Sequence, residues 1–250
     1  MKGIILAAGY ATRLYPLTEN QPKALLDVAG KPIINYIMEE FETIPEMDEV
    51  IVISNHKFAT HFENWAKNYQ SALKITIIDD NTTDDSNKLG AVGDIGYVVD
   101  TLNLKEDLFV IAGDNIFTFA LKDYYDFYKE KNADCILVKE LSEISDLKRM
   151  ANVLTDETSK VTFMVEKPEN PKSNLAAFAA YIYKKETVPM IKQYLDEGNN
   201  PDAPGFFPSW LYQKQPVYAY KFEGECYDIG THESYAEVQE IFKDKNNKGM

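Results

Sequence analysis

Two cationic side chains, Arg13 and Lys23, follow a short apolar run and a turn of small residues, LAAGYATR at 6–13. A guanidinium can bind two phosphate oxygens at once, while an ammonium acts as a point charge. Backbone N–H groups in a turn of small residues also donate to phosphate oxygens without adding formal charge. The stretch therefore predicts a site for a phosphate chain. A tight strand-to-loop crossing beneath a packed helix is the alternative explanation of the small residues.

Charged residues also end three later stretches of the chain. Asp114 closes the apolar run LFVIAGD, Glu166 and Lys167 close VTFMVEKP before its proline, and Asp228 lies in the turn YDIGT. Open α/β folds place ligands and metals at the carboxyl edge of parallel strands, so Asp114 is a candidate ligand. Taken one at a time, each of these residues is equally typical of a solvated side chain, an ion pair or a helix cap.

Several other chemistries lack their usual signatures in this chain. Neither the G-x-x-x-x-G-K-[ST] loop nor the dinucleotide pattern G-x-G-x-x-G occurs, and GAVGDIG at 90–96 has a different glycine spacing. The three histidines have no metal-ligand spacing, and no G-x-S-x-G elbow is present. The sequence therefore favours neither a zinc site nor a serine nucleophile.

The composition limits the partners of the protein. Of the 250 residues, 40 are acidic and 26 basic, and the net charge of -14 disfavours a nucleic acid or an anionic membrane surface. A phosphate substrate must then be met by local cations, dipoles or a metal ion. Two cysteines cannot form a multi-bridge framework, and no apolar stretch approaches the ~18 residues of a membrane span or forms a signal peptide. We expect a soluble, cytoplasmic protein with no membrane partner.

The elements that must position these residues follow from the apolar pattern. Short β-rich runs begin at residues 2, 49, 74, 107 and 134: KGIILAA, EVIVIS, KITIID, DLFVIAGD and DCILVKE. Between the first four, apolar residues recur at three- and four-residue spacing, which is typical of helices. The alternation predicts an α/β fold with a Rossmann-like mixed, mostly parallel sheet flanked by helices.

The second half of the chain contains shorter strands. ANVLTD, KVTFMVEKP, AAFAAYIYKK and VYAYKFEGECYDIG predict an antiparallel extension of the sheet, which forms a substrate lobe. No linker composition separates the halves, so residues 1–250 are expected to form a single domain. The prolines between Arg13 and Lys23 predict an extended segment there, and Thr231 is the expected N-cap of the last helix.

The motifs together resemble the sugar-1-phosphate nucleotidylyltransferases, particularly the glucose-1-phosphate thymidylyltransferase group. The resemblance rests on GIILAAGYATRLYPLTENQPKALLDVAGKPII, LGAVGDI, VIAGDNIF, VEKP and YDIGTHESY, which occur in family order over residues 2–235. The first block matches the family signature A-G-G-x-G-T-R-L-x-P-L-T with alanine at Ala8 and Ala11. Ala11 adds a β-carbon at a place where the family brings its backbone close to the triphosphate.

The resemblance implies the fold of nucleotide-diphospho-sugar transferases and a role for each charged residue. Arg13 would hold the departing pyrophosphate, Lys23 the reacting phosphate and Lys167 the sugar phosphate, and these three are the expected catalytic residues. Asp114 and Asp228 would bind Mg²⁺.

The resemblance also implies a division of the chain. Residues 1–134 would form the nucleotide-binding half, residues 135–236 the sugar-phosphate-binding half, and residues 237–250 the end of a C-terminal helix and a polar tail. In the second half, Glu166 would contact sugar hydroxyls beside Lys167. The residues expected to bind the nucleotide are Leu6, Ala7, Ala8, Gly9, Ala11, Thr12, Gly90 and Asp114.

The implied reaction joins an NTP and a sugar 1-phosphate into an NDP-sugar and releases pyrophosphate. dTTP or UTP is the favoured donor and glucose 1-phosphate the favoured acceptor. The stretch NTTDDSNKLGAVGD at 81–94 differs from the base-binding segment of the family and leaves the base-reading residues open. Two alternatives are a cytidylyltransferase acting on a phospho-alcohol such as phosphocholine, and a non-catalytic nucleotide-sugar sensor. The sequence leaves open whether the protein forms a homo-oligomer.

Overall fold

A nine-stranded sheet runs through the computed structural model, which describes residues 1–247. Its parallel part contains, in spatial order, β6 (Leu108–Ala112), β1 (Lys2–Leu6), β4 (Glu49–Ser54) and β5 (Lys74–Asp79). All six residues of β4 are buried. Continuous apolar runs of this kind are typical of parallel strands whose two faces are both covered by helices.

Five further strands extend the sheet, mainly in antiparallel pairing. They are β8 (Asp134–Glu140), β9 (Ala151–Thr155), β10 (Val161–Glu166), β11 (Leu175–Tyr183) and β12 (Val217–Lys221). β11 joins the two parts because it pairs antiparallel with β6 along one edge and with β8 along the other. β12 pairs parallel with β8. The predicted α/β fold with a mixed, mostly parallel sheet is confirmed.

The stretch predicted as one strand, VYAYKFEGECYDIG, forms two strands in different sheets. β12 stays in the main sheet, whereas β13 (Cys226–Asp228) pairs with β7 (Asn115–Phe117). Another two-stranded sheet consists of β2 (Asp27–Val28) and β3 (Lys31–Pro32). Gly224, between β12 and β13, has a φ of +101°, a conformation that glycine adopts without strain and that ends an extended strand. The single-strand prediction was wrong because one apolar pattern continues across the change of sheet.

Residues 1–247 contain eight α-helices, most of which pack on the sheet. They are α1 (Ile33–Glu42), α2 (Ala59–Asn68), α3 (Ala91–Leu102), α4 (Leu121–Lys131), α5 (Ile144–Leu147), α6 (Val188–Asp196), α7 (Phe206–Leu211) and α8 (His232–Asn247). α1 buries Ile33, Ile37 and Phe41 completely, at the spacing of one helix face. Within this range no helix has the length and apolar character to cross a bilayer.

The main core lies in two layers, one on each face of the sheet. Ile4 belongs to one layer and Ile5 to the other, as the alternation of side chains along a strand requires. Both residues are completely buried. The rigid centre of the sheet thus fixes where the loops at its carboxyl edge begin.

α8 packs over a third, smaller apolar cluster, whose buried members include Leu14, Ile229 and Val238. The predicted cap of this helix is confirmed, since Thr231 Oγ1 accepts the N–H of Ser234 at 3.2 Å. The predicted polar tail is helical as far as residue 247. The rest of that tail, 248–250, lies outside the described residues.

Candidate active site

The loop that follows β1 crosses the carboxyl edge of the parallel strands. Ala7 N–H donates to Ile53 O at 2.9 Å, and Asn55 Nδ2 donates to Ala8 O at 2.8 Å, so residues at the end of β4 hold its start. From residue 9 to residue 12, the backbone N–H groups donate to no acceptor within the described chain. A β-carbon added to Gly9 would meet no atom within 4 Å. The loop therefore presents free amide donors beside open space, the arrangement that binds an anion.

Ala11 has a left-handed backbone conformation, with φ 49° and ψ 40°. It leads into a short 3₁₀ turn, Thr12–Leu14. The completely buried Thr18 donates its hydroxyl to Ala11 O at 2.8 Å and holds this turn. A left-handed conformation costs a residue other than glycine about 1–2 kcal/mol. The alanine that departs from the family signature thus occupies a position where glycine would be free of strain.

Residues 14–22 form a series of turns, so the predicted extended segment is wrong. Leu17 N–H donates to Leu14 O at 2.9 Å, and Glu19 N–H closes the next turn. Proline fixes φ near −65°, a value that suits turns as well as extended backbone. The turns bring the chain back to the sheet edge, where Lys23 begins a second short 3₁₀ turn.

Four charged residues from three separate motifs meet at this edge: Arg13, Lys23, Asp114 and Asp228. The ammonium of Lys23 forms an ion pair with Asp114 Oδ2. Asp228 is paired with Asn115 in the β7–β13 ladder, which brings its carboxyl beside that of Asp114.

Gly230 marks how closely these groups approach. A β-carbon added there would lie 3.5 Å from Arg13 Nη2 and 3.8 Å from each carboxylate oxygen of Asp228. A side chain at this position would therefore contact both the guanidinium and the carboxylate.

The electrostatics of this cluster are dominated by the two carboxylates. Burial and the neighbouring Asp114 raise the pKa of Asp228 to about 6, while Lys23 and Arg13 act in the opposite direction. Protein atoms surround Asp228 on most sides, yet its side chain remains open to solvent through the cleft. Water therefore screens part of the repulsion between the carboxylates.

Asp114 and Asp228 fit a divalent cation. Two neighbouring carboxylates repel each other, and a cation held between them relieves that repulsion. Mg²⁺ usually takes one or two carboxylates and fills its other positions with waters and substrate phosphates. Within residues 1–247 no group of three or more His, Cys, Asp or Glu side chains could hold a metal, so the pair would be the protein's share of the ligands.

A cavity of about 490 Å³ opens beside this cluster. Most of the residues predicted to bind nucleotide or phosphate line it: Leu6, Ala7, Ala8, Gly9, Ala11, Thr12, Arg13, Lys23, Gly90 and Asp114. Asp228 lies next to Asp114, at the edge of the cavity. Glu166 and Lys167 lie outside the cavity.

Gly90 allows the second half of the chain to close against the cavity. Its φ is +80°, and an added β-carbon would lie 2.5 Å from Pro201 O. The first amides of α3 are already bound, since Ala91 N–H donates to Asp202 O at 2.9 Å and Val92 N–H to Pro201 O at 2.8 Å. The first two amides of this helix are therefore bound by protein acceptors.

Glu166 and Lys167 lie at the end of β10, beside the segment that borders the cavity. A β-carbon added to Gly205 would lie 1.9 Å from Glu166 Oε2, and the preceding Pro204 lines the cavity. Burial raises the pKa of Glu166 to about 7, and Lys167 acts in the opposite direction. Lys167 itself is exposed and ends the strand with a φ of 48°.

Sequence reasoning missed one wall of the cavity. It consists mainly of acidic residues, with a single lysine: Asp80, Asp85, Lys88, Asp94 and Asp202. Asp80 and Asp94 are only 5% and 7% exposed. One signal pointed to Asp94, since it stands four residues before Val98 on the apolar face of the α3 pattern, where a charged side chain is unusual.

A family model described as Nucleotidyl transferase matches residues 2–245 of the chain. The chain belongs to the nucleotidyl transferase family. Among relatives, the UTP–glucose-1-phosphate uridylyltransferase of Staphylococcus epidermidis is 31% identical, with 92% of this chain and 87% of that protein covered. Mannose-1-phosphate guanylyltransferase 1 of Arabidopsis thaliana is 28% identical, with 99% of this chain and 66% of that protein covered.

Some members of the nucleotidyl transferase family are longer than this chain. The chain spans 66% of the length of one relative from Sulfolobus acidocaldarius and 55% of the bifunctional protein GlmU of Methanocaldococcus jannaschii. Its fold is that of a crystal structure of UDP-glucose pyrophosphorylase complexed with UDP-glucose. The TM-score is 0.83 at 22% identity, and 98% of both chains is covered.

Proposed function

We propose that this member of the nucleotidyl transferase family joins an NTP to a sugar 1-phosphate and releases pyrophosphate. The observation that carries the proposal is the meeting of Arg13, Lys23, Asp114 and Asp228 beside a cavity bordered by free backbone amides. The names of the relatives support it, because they describe uridylyl and guanylyl transfer to sugar 1-phosphates. The motif resemblance favours dTTP or UTP as donor and glucose 1-phosphate as acceptor.

In the proposed reaction an oxygen of the sugar phosphate attacks the α-phosphorus of the NTP. A P–O bond forms there, the bond to the oxygen bridging the α- and β-phosphorus breaks, and pyrophosphate leaves with that oxygen. A phosphate monoester loses its second proton with a pKa of about 6, so the attacking oxygen is already anionic near neutral pH. The reaction then requires alignment and charge neutralisation, and no general base.

The first half of the chain, residues 1–134, supplies the groups for the NTP in this proposal. The amides of residues 9–12 bind phosphate oxygens, Arg13 holds the departing pyrophosphate, and Lys23 neutralises the reacting phosphate. Asp114 and Asp228 would hold Mg²⁺, which when bound supplies positive charge to the phosphate oxygens.

The second half, residues 135–236, would bind the sugar phosphate. Glu166 has a carboxylate that can accept hydrogen bonds from sugar hydroxyls, and the exposed ammonium of Lys167 can meet the phosphate. Glu166 lies beside Gly205, which follows Pro204 at the border of the cavity, and Lys167 is its neighbour in the sequence.

Release of pyrophosphate tests the proposal. Release should require both an NTP and a sugar 1-phosphate and should stop when EDTA removes divalent cations. The screen compares ATP, GTP, CTP, UTP and dTTP against a panel of sugar 1-phosphates and phosphocholine. Release with CTP and phosphocholine alone would establish the cytidylyltransferase alternative, and nucleotide binding without release on any acceptor would establish a sensor. Either result would refute the proposal.

A further inference from the structure

Two buried side chains bind carbonyl oxygens of the loop that follows β1. Asn55 Nδ2 donates to Ala8 O at 2.8 Å, and Thr18 Oγ1 donates to Ala11 O at 2.8 Å. Both donor residues are completely buried. Each of them therefore reaches the loop from its protein side and not from the cavity.

A trans peptide bond relates the direction of each carbonyl to that of the next amide. Across the planar group, the carbonyl of one residue and the N–H of the following residue point in opposite directions. Within residues 1–247 the only cis peptide bond precedes Pro16, so the peptides 8–9 and 11–12 are both trans. Because the two carbonyls are turned toward buried donors, the N–H groups of Gly9 and Thr12 are turned away from the protein interior.

The side of the loop that these N–H groups face is the cavity. Gly9 and Thr12 are both exposed, and both line the cavity. Neither N–H donates to an acceptor in the described part of the chain. A backbone donor needs a partner, so water or a ligand in the cavity has to accept these two hydrogen bonds. The anionic oxygens of a phosphate chain are strong acceptors for such donors.

The side-chain amide of Asn55 is held in one orientation. Its Oδ1 accepts the N–H of Phe58 at 3.1 Å, so its Nδ2 is directed at Ala8 O. An amide carries an acceptor and a donor, whereas an ionised carboxylate carries acceptors only. Asn55→Asp could therefore keep the bond to Phe58 but would place an acceptor against the carbonyl of the loop.

The hydroxyl of Thr18 binds the loop at its strained residue. Ala11 has a left-handed conformation, which a residue other than glycine keeps only where its surroundings enforce it. Ala11 O also accepts the N–H of Leu14 at 3.0 Å. Removing the hydroxyl thus leaves no carbonyl unpaired, but one bond in place of two then holds the peptide 11–12 in its orientation.

We propose that Asn55 and Thr18 are positioning residues of the NTP site. By binding two carbonyls of the loop from its buried side, they turn the N–H groups of Gly9 and Thr12 toward the phosphate chain. The identity of the anion rests on the proposed function. Loss of one such hydrogen bond to a charged group should weaken polyphosphate binding about tenfold.

Binding of inorganic tripolyphosphate without divalent cations tests the assignment separately from turnover. The variants are Thr18→Val, Thr18→Ser and the control Thr43→Val, which removes an exposed hydroxyl that likewise donates to a backbone carbonyl, Glu40 O at 2.7 Å. Titration calorimetry should show about tenfold weaker binding to Thr18→Val than to the wild type. Thr18→Ser should restore the affinity, and Thr43→Val should bind as the wild type does.

Backbone amide NMR signals report each N–H separately. In the wild type, tripolyphosphate should shift the proton signals of Gly9 and Thr12 downfield, as a new hydrogen bond to an anion does. Thr18→Val should lose the shift at Thr12 and keep that at Gly9, and Asn55→Asp should do the opposite. A merely structural role would lower Tm without separating the two signals. If Asn55→Asp does not fold, Thr18→Val and Thr18→Ser decide the question.

Two results would overturn the assignment. One is a folded Thr18→Val that binds tripolyphosphate as tightly as the wild type, and the other is a wild type whose Thr12 amide does not shift. The expected shifts in a protein that releases no pyrophosphate with any NTP and acceptor would support the positioning roles and refute the proposed activity. Pyrophosphate release with unshifted amides would do the reverse.

Discussion

Replacing Asp94 by asparagine should stabilise the protein, and increasingly so as the pH rises. Asp94 lies in the first turn of α3, is 7% exposed, and has no partner in residues 1–247 for one of its oxygens. Burial, assisted by the nearby Asp80, raises the pKa of Asp94 from its ordinary 3.8 to about 8. Asparagine keeps the size of the side chain and removes the titration.

The direction in which the free energy of unfolding changes with pH follows from proton binding. Between pH 4 and 8 the folded protein keeps the proton on Asp94 while the unfolded chain has lost it, so the free energy of unfolding falls by about 1.4 kcal/mol per pH unit. Above pH 8 both states are ionised and the effect is constant. Over the two units from pH 5.5 to 7.5, this amounts to about 2.7 kcal/mol. Water that enters the open cavity stabilises the ion, so we expect about 1–3 kcal/mol.

Urea unfolding at pH 5.5 and pH 7.5 measures this quantity. The stability gain of Asp94→Asn over the wild type should be larger at pH 7.5 by the stated amount, and Asp100→Asn should show no such pH dependence because Asp100 is exposed. Taking the difference between variant and wild type removes the titration of groups that do not interact with Asp94. An equal gain at both pH values, or a variant less stable than the wild type at pH 7.5, would refute the reasoning.

Three further predictions concern the proposed reaction and the loop that serves it. Asp114→Asn and Asp228→Asn should each lower kcat at least about 100-fold with an unchanged circular dichroism spectrum, and near-wild-type turnover in either would contradict the metal assignment. Lys167→Ala should raise the KM for the sugar phosphate about tenfold or more and leave NTP affinity unchanged, whereas a change in NTP affinity alone would show that its role is different. Ala11→Gly should raise Tm by about 1–4 °C, because relief of the left-handed conformation exceeds the added entropy of the unfolded chain, while the exposed Ala72→Gly should lower Tm. A lower Tm for Ala11→Gly would contradict the strain at this residue.

Much of the fold could be predicted from the sequence, because local pattern and burial agree in the parallel half. β4 and β5 begin and end at the predicted residues, because each is a short β-rich run between two helical patterns. The stretch after residue 217 was predicted incorrectly because strand propensity does not report which sheet a strand joins. That choice depends on long-range pairing, here between Asp228 and Asn115.

One part of the candidate site could likewise be predicted from the sequence and another part could not. The candidate phosphate-binding loop could be predicted because its small residues and Arg13 lie close together in the sequence. The acidic wall of the cavity could not, since Asp80 and Asp94 look like ordinary surface carboxylates until burial and missing partners are known. Their burial depends on which strands and helices surround them, and apolar periodicity does not contain that information.

The site can be completed only late in protein synthesis, because β13, which pairs with β7, lies near the end of the chain. About 200 residues separate Arg13 from Asp228, and a ribosome adding about 5–20 residues per second needs about 10–40 s to make them. During that interval the nascent chain already carries the loop, Lys23 and Asp114, but the second carboxylate does not yet exist. We therefore expect turnover to begin only after β13 has emerged and paired with β7.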